Sequence, residues 1–184
     1  MHRRASDPSR NGRELRARLE KITGASRVLD RPAERIAHAH DASFYRLVPQ
    51  AVVFPQTEAE VIALLELSGE LTLPLTFRAA GTSLSGQAIT DGLLVDLSRS
   101  FSAIRVEEGG GPVRVEPGAI GGHVNLALLP HGTKIGPDPA SINARRMGGI
   151  LSNNASGMCC GVAQNAYHTL RSLRFVLPSG ACSS

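Results

Sequence analysis

The segment that most constrains this chain is residues 78–87, a run of small and polar side chains between two apolar runs. The apolar run 73–77 leads into it and the apolar run 92–97 follows it, so the segment is predicted to connect two strands. It contains no acidic residue, and Arg78 stands at its start. Because successive free backbone N–H groups in a turn bind anions, the segment predicts a cradle for a diphosphate. A long flexible connection would have a similar composition.

Neither of the common nucleotide-binding loops matches this segment. A P-loop requires Gly-Lys-Ser/Thr, which the chain lacks. The dinucleotide fingerprint requires three glycines at fixed spacing at the start of a helix. The segment has only Gly81 and Gly86, and it runs on toward a strand. A diphosphate held here would therefore be held by a different kind of loop.

Composition limits the class of protein. A chain of 184 residues is long enough for one domain or two small subdomains with a core. Its 19 glycines favour α/β or α+β structure with many tight turns. No apolar run approaches the roughly 20 residues that span a bilayer. The first residues are followed by polar ones, so neither a membrane span nor a secretory signal is predicted.

The net charge of +4 is concentrated near the N-terminus. Residues 1–35 hold ten Lys and Arg against five Asp and Glu, whereas the remainder holds ten against eleven. We interpret residues 1–43 as a solvated helical leader and residues 44–184 as the main domain, because targeting peptides avoid acidic residues. Binding of nucleic acid is not predicted, since the leader has no aromatic side chain before Phe44 for stacking.

The cysteines and histidines predict neither disulfides nor a metal site. Cys159 and Cys160 are adjacent and there is no Cys-x-x-Cys, so the three cysteines form no disulfide framework or zinc ligand set. His38 and His40 have no third ligand in view. We expect a reducing, cytoplasmic setting, either free or at the inner-membrane surface.

Apolar periodicity and turn residues predict the order of the elements. Thr57 and Glu60 have the spacing of a capping box at a helix start, and this helix lies between two strands as a βαβ unit, which favours parallel pairing. A glycine-rich turn at 108–111 lies between two alternating stretches and indicates a hairpin. The full set is helices at 13–22, 31–40, 58–69 and 121–129, and strands at 51–54, 73–78, 93–97, 102–107, 112–116 and 172–177. The last of these helices is predicted to point Val124, Leu128 and Leu129 inward.

A second informative segment runs from Gly136 to Gly157. It begins Gly-Pro-Asp-Pro and continues to Gly148 and Gly149 near the start of a short helix, followed by Asn-Asn-Ala-Ser-Gly. Glycine in a helix costs about 1 kcal/mol relative to alanine, so two together indicate a close approach. A bound ligand and a helix–helix contact both remain open, and the polar residues on either side favour the ligand.

The two segments, in this order after a βαβ unit, resemble the FAD-binding domain of the vanillyl-alcohol oxidase and p-cresol methylhydroxylase type. Arg-x-x-Gly-Thr-Ser-x-Ser-Gly, Gly-Pro-Asp-Pro and Gly-Gly-x-x-x-Asn-Asn-Ala-Ser-Gly carry the resemblance, which covers about residues 44–178. Within this type the chain is most similar to the D-lactate and D-2-hydroxyglutarate dehydrogenase branch. The run Ala-Ser-Gly-Met-Cys-Cys-Gly resembles the large bacterial members that also carry an iron–sulfur half. The implied fold is α+β, with a βαβ subdomain and a second mixed-sheet subdomain.

The resemblance implies that both segments bind FAD. Thr82 stands where some relatives have the histidine that bonds the flavin, so noncovalent FAD is implied. The first segment would hold the diphosphate through Arg78, Ala79, Ala80, Gly81, Thr82, Ser83, Ser85, Gly86 and Gln87. The second would line the opposite wall and the flavin through Pro137, Asp138, Ser141, Gly148, Gly149, Asn153, Ala155, Ser156 and Gly157.

The chain departs from the family pattern at its C-terminal end. The family continues into a substrate-binding cap that carries the catalytic base and metal-binding histidines, so the FAD-binding domain is expected to be incomplete here. No catalytic residue is therefore assigned. A 2-hydroxy acid is the implied substrate of the intact enzyme only, and a separate subunit or self-association through the final strand is expected. The alternative is a flavin-binding module or a truncated fragment, without activity of its own.

Overall fold

The computed structural model describes residues 8–158, 161–179 and 181–183. Cys159 and Cys160, on which part of the sequence argument rests, lie outside this range. The helices are α1 (Pro8–Thr23), α2 (Pro32–Ala37), α3 (Glu58–Leu71), α4 (Gly121–Leu128) and α5 (Met147–Ser152). The strands are β1 (Val28–Leu29), β2 (Ala51–Val53), β3 (Leu75–Arg78), β4 (Leu93–Asp96), β5 (Ile104–Val106), β6 (Val113–Val115), β7 (Phe175–Val176) and β8 (Cys182–Ser183).

The local signals place these elements well. The Thr57 hydroxyl accepts a hydrogen bond from the backbone N–H of Glu60 at 3.2 Å and caps α3. Thr72, in the left-handed region with φ 50°, ends that helix. The helix expected at 31–40 is shorter than predicted, since α2 stops at Ala37. His38 leaves the helical conformation, with φ −101° and ψ 5°, and caps the end of α2.

A four-stranded sheet in the order β1–β2–β4–β3 forms the first half of the fold. β2, β4 and β3 are parallel, while β1 pairs antiparallel with β2. The predicted βαβ unit exists, but β4 lies between its two strands. Because β3 and β4 are parallel neighbours, the chain must cross from the end of one to the start of the other. Residues 79–92 make this crossover without a helix.

Alternating residues of the central strands face two different layers. Ala51, Val53, Leu93 and Val95 are buried on the face covered by α1 and α3. The intervening residues Val52 and Leu94 are buried on the other face with Phe54. Burial on both faces explains why these strands are continuous apolar runs rather than alternating ones.

The N-terminal segment, predicted to be a leader, packs on this sheet. Leu15 and Leu19 of α1 are buried in the first core, and Val28 of β1 joins them. Arg18 pairs with Glu70 of α3. Arg27 pairs with Glu60 at 2.7 Å. Part of the basic excess near the N-terminus therefore forms ion pairs with α3.

A second core lies under the hairpin β5–β6 and the helices α4 and α5. The hairpin pairs antiparallel from Ile104 opposite Val115 to Val106 opposite Val113, as predicted. Val124 and Leu128 of α4 are buried with Ile150 of α5. Leu129 was expected to point inward, but its side chain is 69 % exposed, because α4 ends at Leu128 and a 3-10 turn begins.

The last strands form a small hairpin, in which β7 pairs antiparallel with β8. Arg174, just before β7, donates to both carboxylate oxygens of Glu58 at 2.6 and 2.9 Å. This ion pair ties the hairpin to the start of α3. In the part of the chain that the structure describes, no helix is long and apolar enough to cross a membrane.

Candidate functional site

A large crevice lies between the two halves of the fold. Its volume is about 2020 Å³, larger than the roughly 300–1,000 Å³ of a typical small-ligand pocket. Residues from both informative segments line it. From the first segment these are Arg78, Ala79, Ala80, Thr82, Ser83 and Gln87, and from the second Pro137, Gly148, Gly149 and Asn153. The structure thus brings the two segments to one shared space.

The other predicted site residues lie outside the lining. Ser85 and Gly86 border a smaller hollow beside Tyr45. Gly157 forms a parallel bridge with Asp138, and the Asp138 N–H donates to the Ser156 carbonyl at 2.6 Å. The other predicted site residues that do not line the crevice are Gly81, Ser141 and Ala155. The contacts of Asp138 with Ser156 and Gly157 therefore support the crevice wall from behind, and these residues do not line the crevice.

The loop after β3, residues 79–92, offers unused donors to the crevice. Within the described part of the chain, the backbone N–H groups of residues 80–84 donate to no protein acceptor. Gly81 has a φ of +64°, which allows the turn that aligns them. Adjacent unpaired N–H groups create a region of positive potential that favours an anion.

The Ser83 hydroxyl makes hydrogen bonds within its own loop. Its hydroxyl oxygen accepts from the N–H groups of Ser85 and Gln87, at 3.1 and 3.2 Å, and it donates to the Gln87 side chain at 3.2 Å. The hydroxyl therefore shapes the second half of the loop. The backbone of residues 80–84 remains as the donor surface.

The segment before Tyr45 lies behind this loop and fixes it. The Arg78 guanidinium donates to the His38 carbonyl at 3.1 Å. The Ala42 N–H donates to the Gly81 carbonyl at 3.0 Å. Arg78 also covers Gly81 so closely that an added Cβ would come within 2.8 Å of the guanidinium. Arg78 thus holds the loop, in addition to bringing positive charge.

Asp41 joins the same two segments. Its carboxylate accepts from the Ser43 N–H at 2.8 Å and from the Ala88 N–H at 3.3 Å. Burial by itself raises the pKa of this carboxyl, but the hydrogen bonds from Ser43 and Ala88 and the charge of Arg78 outweigh it, so the pKa is lowered. Asp41 is therefore ionised at neutral pH and holds the loop at Ala88, while the neighbouring Ala42 holds it at Gly81.

The paired glycines of α5 differ in their surroundings. A Cβ on Gly148 would come within 2.9 Å of the Pro117 side chain. A Cβ on Gly149 would have nothing within 4 Å. The close approach predicted for the pair is therefore a packing contact at Gly148, while Gly149 leaves space at the crevice wall.

Positive charge dominates the lining of the crevice. Among the described residues the cations that line it are Arg78, Arg114, Lys134, Arg145, Arg146, Arg171 and Arg174, and the acids are Glu58, Glu107 and Glu116. Several of these cations have carboxylate neighbours. The balance nevertheless favours an anionic ligand, in agreement with the free N–H groups of the loop.

Comparison with known proteins identifies the fold and the ligand. A family model described as an FAD binding domain matches residues 49–183. The chain belongs to the FAD-linked oxidase family. Its fold is that of vanillyl-alcohol oxidase and p-cresol methylhydroxylase, and FAD is the cofactor of the domain.

Similar sequences place the chain in the D-2-hydroxyglutarate and D-lactate dehydrogenase branch of the FAD-linked oxidases. It is 36 % identical over 180 residues to a D-2-hydroxyglutarate dehydrogenase of Pseudomonas putida, covering 94 % of this chain and 18 % of that protein. It is 34 % identical over 149 residues to the glycolate oxidase subunit GlcD of Escherichia coli, covering 79 % of this chain and 30 % of that protein. The chain thus spans less than a third of these relatives.

Solved structures share the fold at lower identity. An alkyldihydroxyacetonephosphate synthase superposes with a TM-score of 0.77 and 20 % identity, covering 98 % of this chain and 36 % of that one. The 6-hydroxy-D-nicotine oxidase of Arthrobacter nicotinovorans gives a TM-score of 0.74 and 17 % identity, covering 85 % of this chain and 34 % of that one. At this identity the likeness shows the fold alone.

The residues that line the crevice fit FAD. The free N–H groups of residues 80–84 suit a diphosphate, the open wall at Gly149 leaves room for it, and the lining carries positive charge. The Nε atom of Arg146 is buried without a hydrogen-bond acceptor in the described part of the chain. A ligand with oxygen acceptors would satisfy such a donor.

The sequence argument missed the supports of the loop and one basic pair. Asp41 and Tyr45 lie in the segment that was divided between leader and domain, and neither belongs to the recognised motifs. Arg145 and Arg146 lie three and two positions before Gly148, and their signal was two adjacent cations close to a glycine pair. Adjacent arginines are common on protein surfaces, so this pair does not by itself indicate a ligand site.

We expect Asp41→Ala to weaken FAD binding by about 1–3 kcal/mol, because the Ala88 N–H would lose a charged acceptor and the loop its attachment. Asp91, exposed in the same connection, provides a matched control as Asp91→Ala. Quenching of flavin fluorescence during titration measures the affinities. Equal affinities of the two variants would exclude this role for Asp41.

The ion pair between Glu58 and Arg174 predicts an acid-dependent change. Hydrogen bonds from Arg174, then from the Cys182 thiol, lower the pKa of Glu58 to about 2. Because this folded-state pKa lies below the roughly 4.3 of an unperturbed glutamate, the pair stabilises the hairpin above about pH 4.3 and is lost as pH falls toward 2. We expect β7 and β8 amides to exchange faster as pH falls through this window, after correction for intrinsic rates.

The variant Glu58→Gln provides the control for this experiment, since it cannot titrate. Its β7 and β8 amides are expected to exchange faster at neutral pH and to show no further loss of protection specific to the hairpin between about pH 4.3 and 2. Hydrogen exchange read by mass spectrometry resolves the hairpin from the core. The same pH dependence in both proteins would contradict the assignment.

Proposed function

We propose that this chain is the FAD-binding portion of a flavin-dependent dehydrogenase that oxidises a D-2-hydroxy acid. The observation that carries the proposal is the set of free N–H groups at residues 80–84, in a loop that lines the crevice through Ala80, Thr82 and Ser83 together with several basic side chains. The names of the relatives support the substrate class, since 2-hydroxyglutarate and glycolate are both 2-hydroxy acids.

The residues of this chain would bind and orient the cofactor. When bound, FAD supplies the two-electron acceptor that oxidation of a hydroxy acid requires. The N–H groups of residues 80–84 would hold its diphosphate, and Asp41 would keep that loop in place. Asn153, which lines the second wall, would contribute polar contacts from the other side. The chain has no assigned base for the hydroxyl proton, so it is proposed to lack turnover on its own.

The first experiment tests the cofactor. The chain is incubated with FAD, unbound flavin is removed, and the visible spectrum is recorded. Bound flavin is expected, and acid precipitation is expected to release all of it, since Thr82 cannot form the histidyl linkage. Absence of any bound flavin would overturn the proposal, and flavin that stays with the precipitate would overturn its noncovalent part.

The second experiment tests whether this chain supports the oxidation of hydroxy acids when the missing part is supplied by a relative. The corresponding region of the Pseudomonas putida relative is replaced by this chain, and the FAD content and the reduction of a dye are measured. We expect oxidation of D-2-hydroxyglutarate, D-lactate or glycolate and no oxidation of the L-enantiomers of the first two. A chimera that retains FAD but oxidises none of these acids would favour the alternative, a flavin-binding module without this activity.

We also propose a cytoplasmic location and association through the hairpin β7–β8. Each of its strands has one edge without a neighbouring strand among the described residues, and free edges pair with other strands. A two-stranded hairpin is marginally stable alone, so a partner subunit or a second copy would stabilise it. Light scattering after size exclusion would detect a second copy, and a strictly monomeric chain would argue against self-association.

A further inference from the structure

The cations of the crevice differ in whether they already have acceptors. Arg145 and Arg146 have no carboxylate within ion-pair distance in the described part of the chain. The same holds for Arg78, and each of these three arginines donates to a backbone carbonyl. The other cations have carboxylate partners: Arg174 pairs with Glu58 at 2.6 Å, Lys134 with Asp138 at 3.7 Å, and Arg114 and Arg171 with Glu107 at 3.9 and 4.0 Å. Outside the first segment, the described crevice cations without a carboxylate partner are therefore the Arg145–Arg146 pair.

Arg146 is the more constrained member of the pair. Its Nη1 donates to the Gly118 carbonyl at 2.5 Å, which anchors one end of the guanidinium. Its Nε is buried and has no acceptor among the described residues. Buried donors in native proteins nearly always have an acceptor, because an unsatisfied one costs free energy. The side chain is thus held in place with one donor unused.

The position of Arg146 suits a ligand in the crevice. It lines the crevice and directly precedes α5, in which Gly149 leaves the wall open. A guanidinium donates in a planar fork that matches phosphate oxygens, and it also donates to carbonyl oxygens. Both kinds of acceptor are present in FAD.

We propose that Arg146 is a FAD-binding residue, whose guanidinium donates to an oxygen of the cofactor. This inference rests on the proposed function. The oxygen belongs either to the diphosphate or to the flavin ring. The residue lies outside the glycine-rich motifs, and it adds a charged contact on the wall opposite residues 80–84.

The test compares Arg146→Gln with Arg105→Gln, a matched change at an exposed arginine that does not line the crevice. Titration of FAD followed by fluorescence quenching gives the affinities. Loss of a hydrogen bond from a charged donor is expected to weaken binding by about 10- to 100-fold in Arg146→Gln. Arg105→Gln is expected to change it by less than about threefold.

Stability without FAD separates binding from structure. Arg146→Gln loses the contact with Gly118, so urea unfolding of the FAD-free variants is measured beside the titrations. A lower unfolding midpoint with unchanged FAD affinity of the folded protein would assign Arg146 a structural role and overturn the inference. Lower affinity of a variant that circular dichroism shows to be folded supports it.

Two smaller probes identify the oxygen that Arg146 contacts. ADP carries the diphosphate without the flavin, and riboflavin carries the ring without the phosphates. Weaker ADP binding in Arg146→Gln assigns the contact to the diphosphate, and weaker riboflavin binding assigns it to the ring. Equal affinities of both variants for FAD would overturn the inference alone, whereas an unchanged chain that binds no FAD would overturn the proposed function as well.

Discussion

We expect Gly149→Leu to abolish FAD binding while the FAD-free chain keeps its fold. Nothing lies within 4 Å of a Cβ at this position, so the side chain would enter the open crevice and not the core. A side chain in the space of the cofactor is expected to weaken binding by more than about 100-fold, or about 2.7 kcal/mol. Because glycine is a poor helix former, the free energy of unfolding should stay constant or rise by up to about 1 kcal/mol.

The neighbouring position provides the control. Gly148→Ala places a Cβ 2.9 Å from the Pro117 side chain, so this variant is expected to lose stability in the absence of FAD. Urea unfolding and flavin titration of both variants give two independent readings. If Gly149→Leu still binds FAD normally, α5 does not form the wall that faces the cofactor.

Gly157→Ala is expected to cause the largest loss of stability. The residue has a φ of +117°, and an added Cβ would overlap the backbone carbonyl of Asp138. A strained backbone conformation costs of order 1–3 kcal/mol, and the overlap with backbone adds to it. The bridge between Asp138 and Gly157 would have to open, so we expect a total loss of at least about 3 kcal/mol together with weaker FAD binding.

Gly132→Ala separates backbone strain from overlap. Gly132 also has a positive φ, +68°, but a Cβ there would have nothing within 4 Å. Its loss of stability is expected to be about 1–2 kcal/mol, the cost of a left-handed conformation. Urea unfolding of both variants measures the difference. Similar losses of stability in the two variants would mean that the overlap with the Asp138 carbonyl adds nothing to the cost of the backbone conformation.

Much of the candidate site was predictable because its signals are local. The hydroxyl of Thr57 and the N–H of Glu60 lie within one helical turn, so their spacing alone predicts the cap. The small residues of 79–87 and the glycines of α5 mark close backbone approaches without any knowledge of the partner. Family resemblance, carried by the same residues, then predicted that the two segments share one ligand, and the structure brings them to one crevice.

The sequence did not reveal every contact that its predicted residues make. Leu129 was assigned to the core from helical spacing, but α4 stops one residue earlier and the side chain is exposed. Both glycines of α5 were assigned to the ligand, although Gly148 packs against Pro117. Ser83 was assigned to the diphosphate, yet its hydroxyl bonds within its own loop. In each case a neighbour that periodicity does not reveal decided the outcome.

The sequence by itself determined which segments form helices, strands and turns, because propensity, capping and apolar period act over a few residues. Tertiary structure decided that β4 lies between β2 and β3, that Asp41 supports the loop from behind, and that the Nε of Arg146 has no acceptor among the described residues. These features depend on the order of strands and on groups far apart in the chain. These contacts form only when the whole domain packs, because the groups that make them come together only in the folded chain.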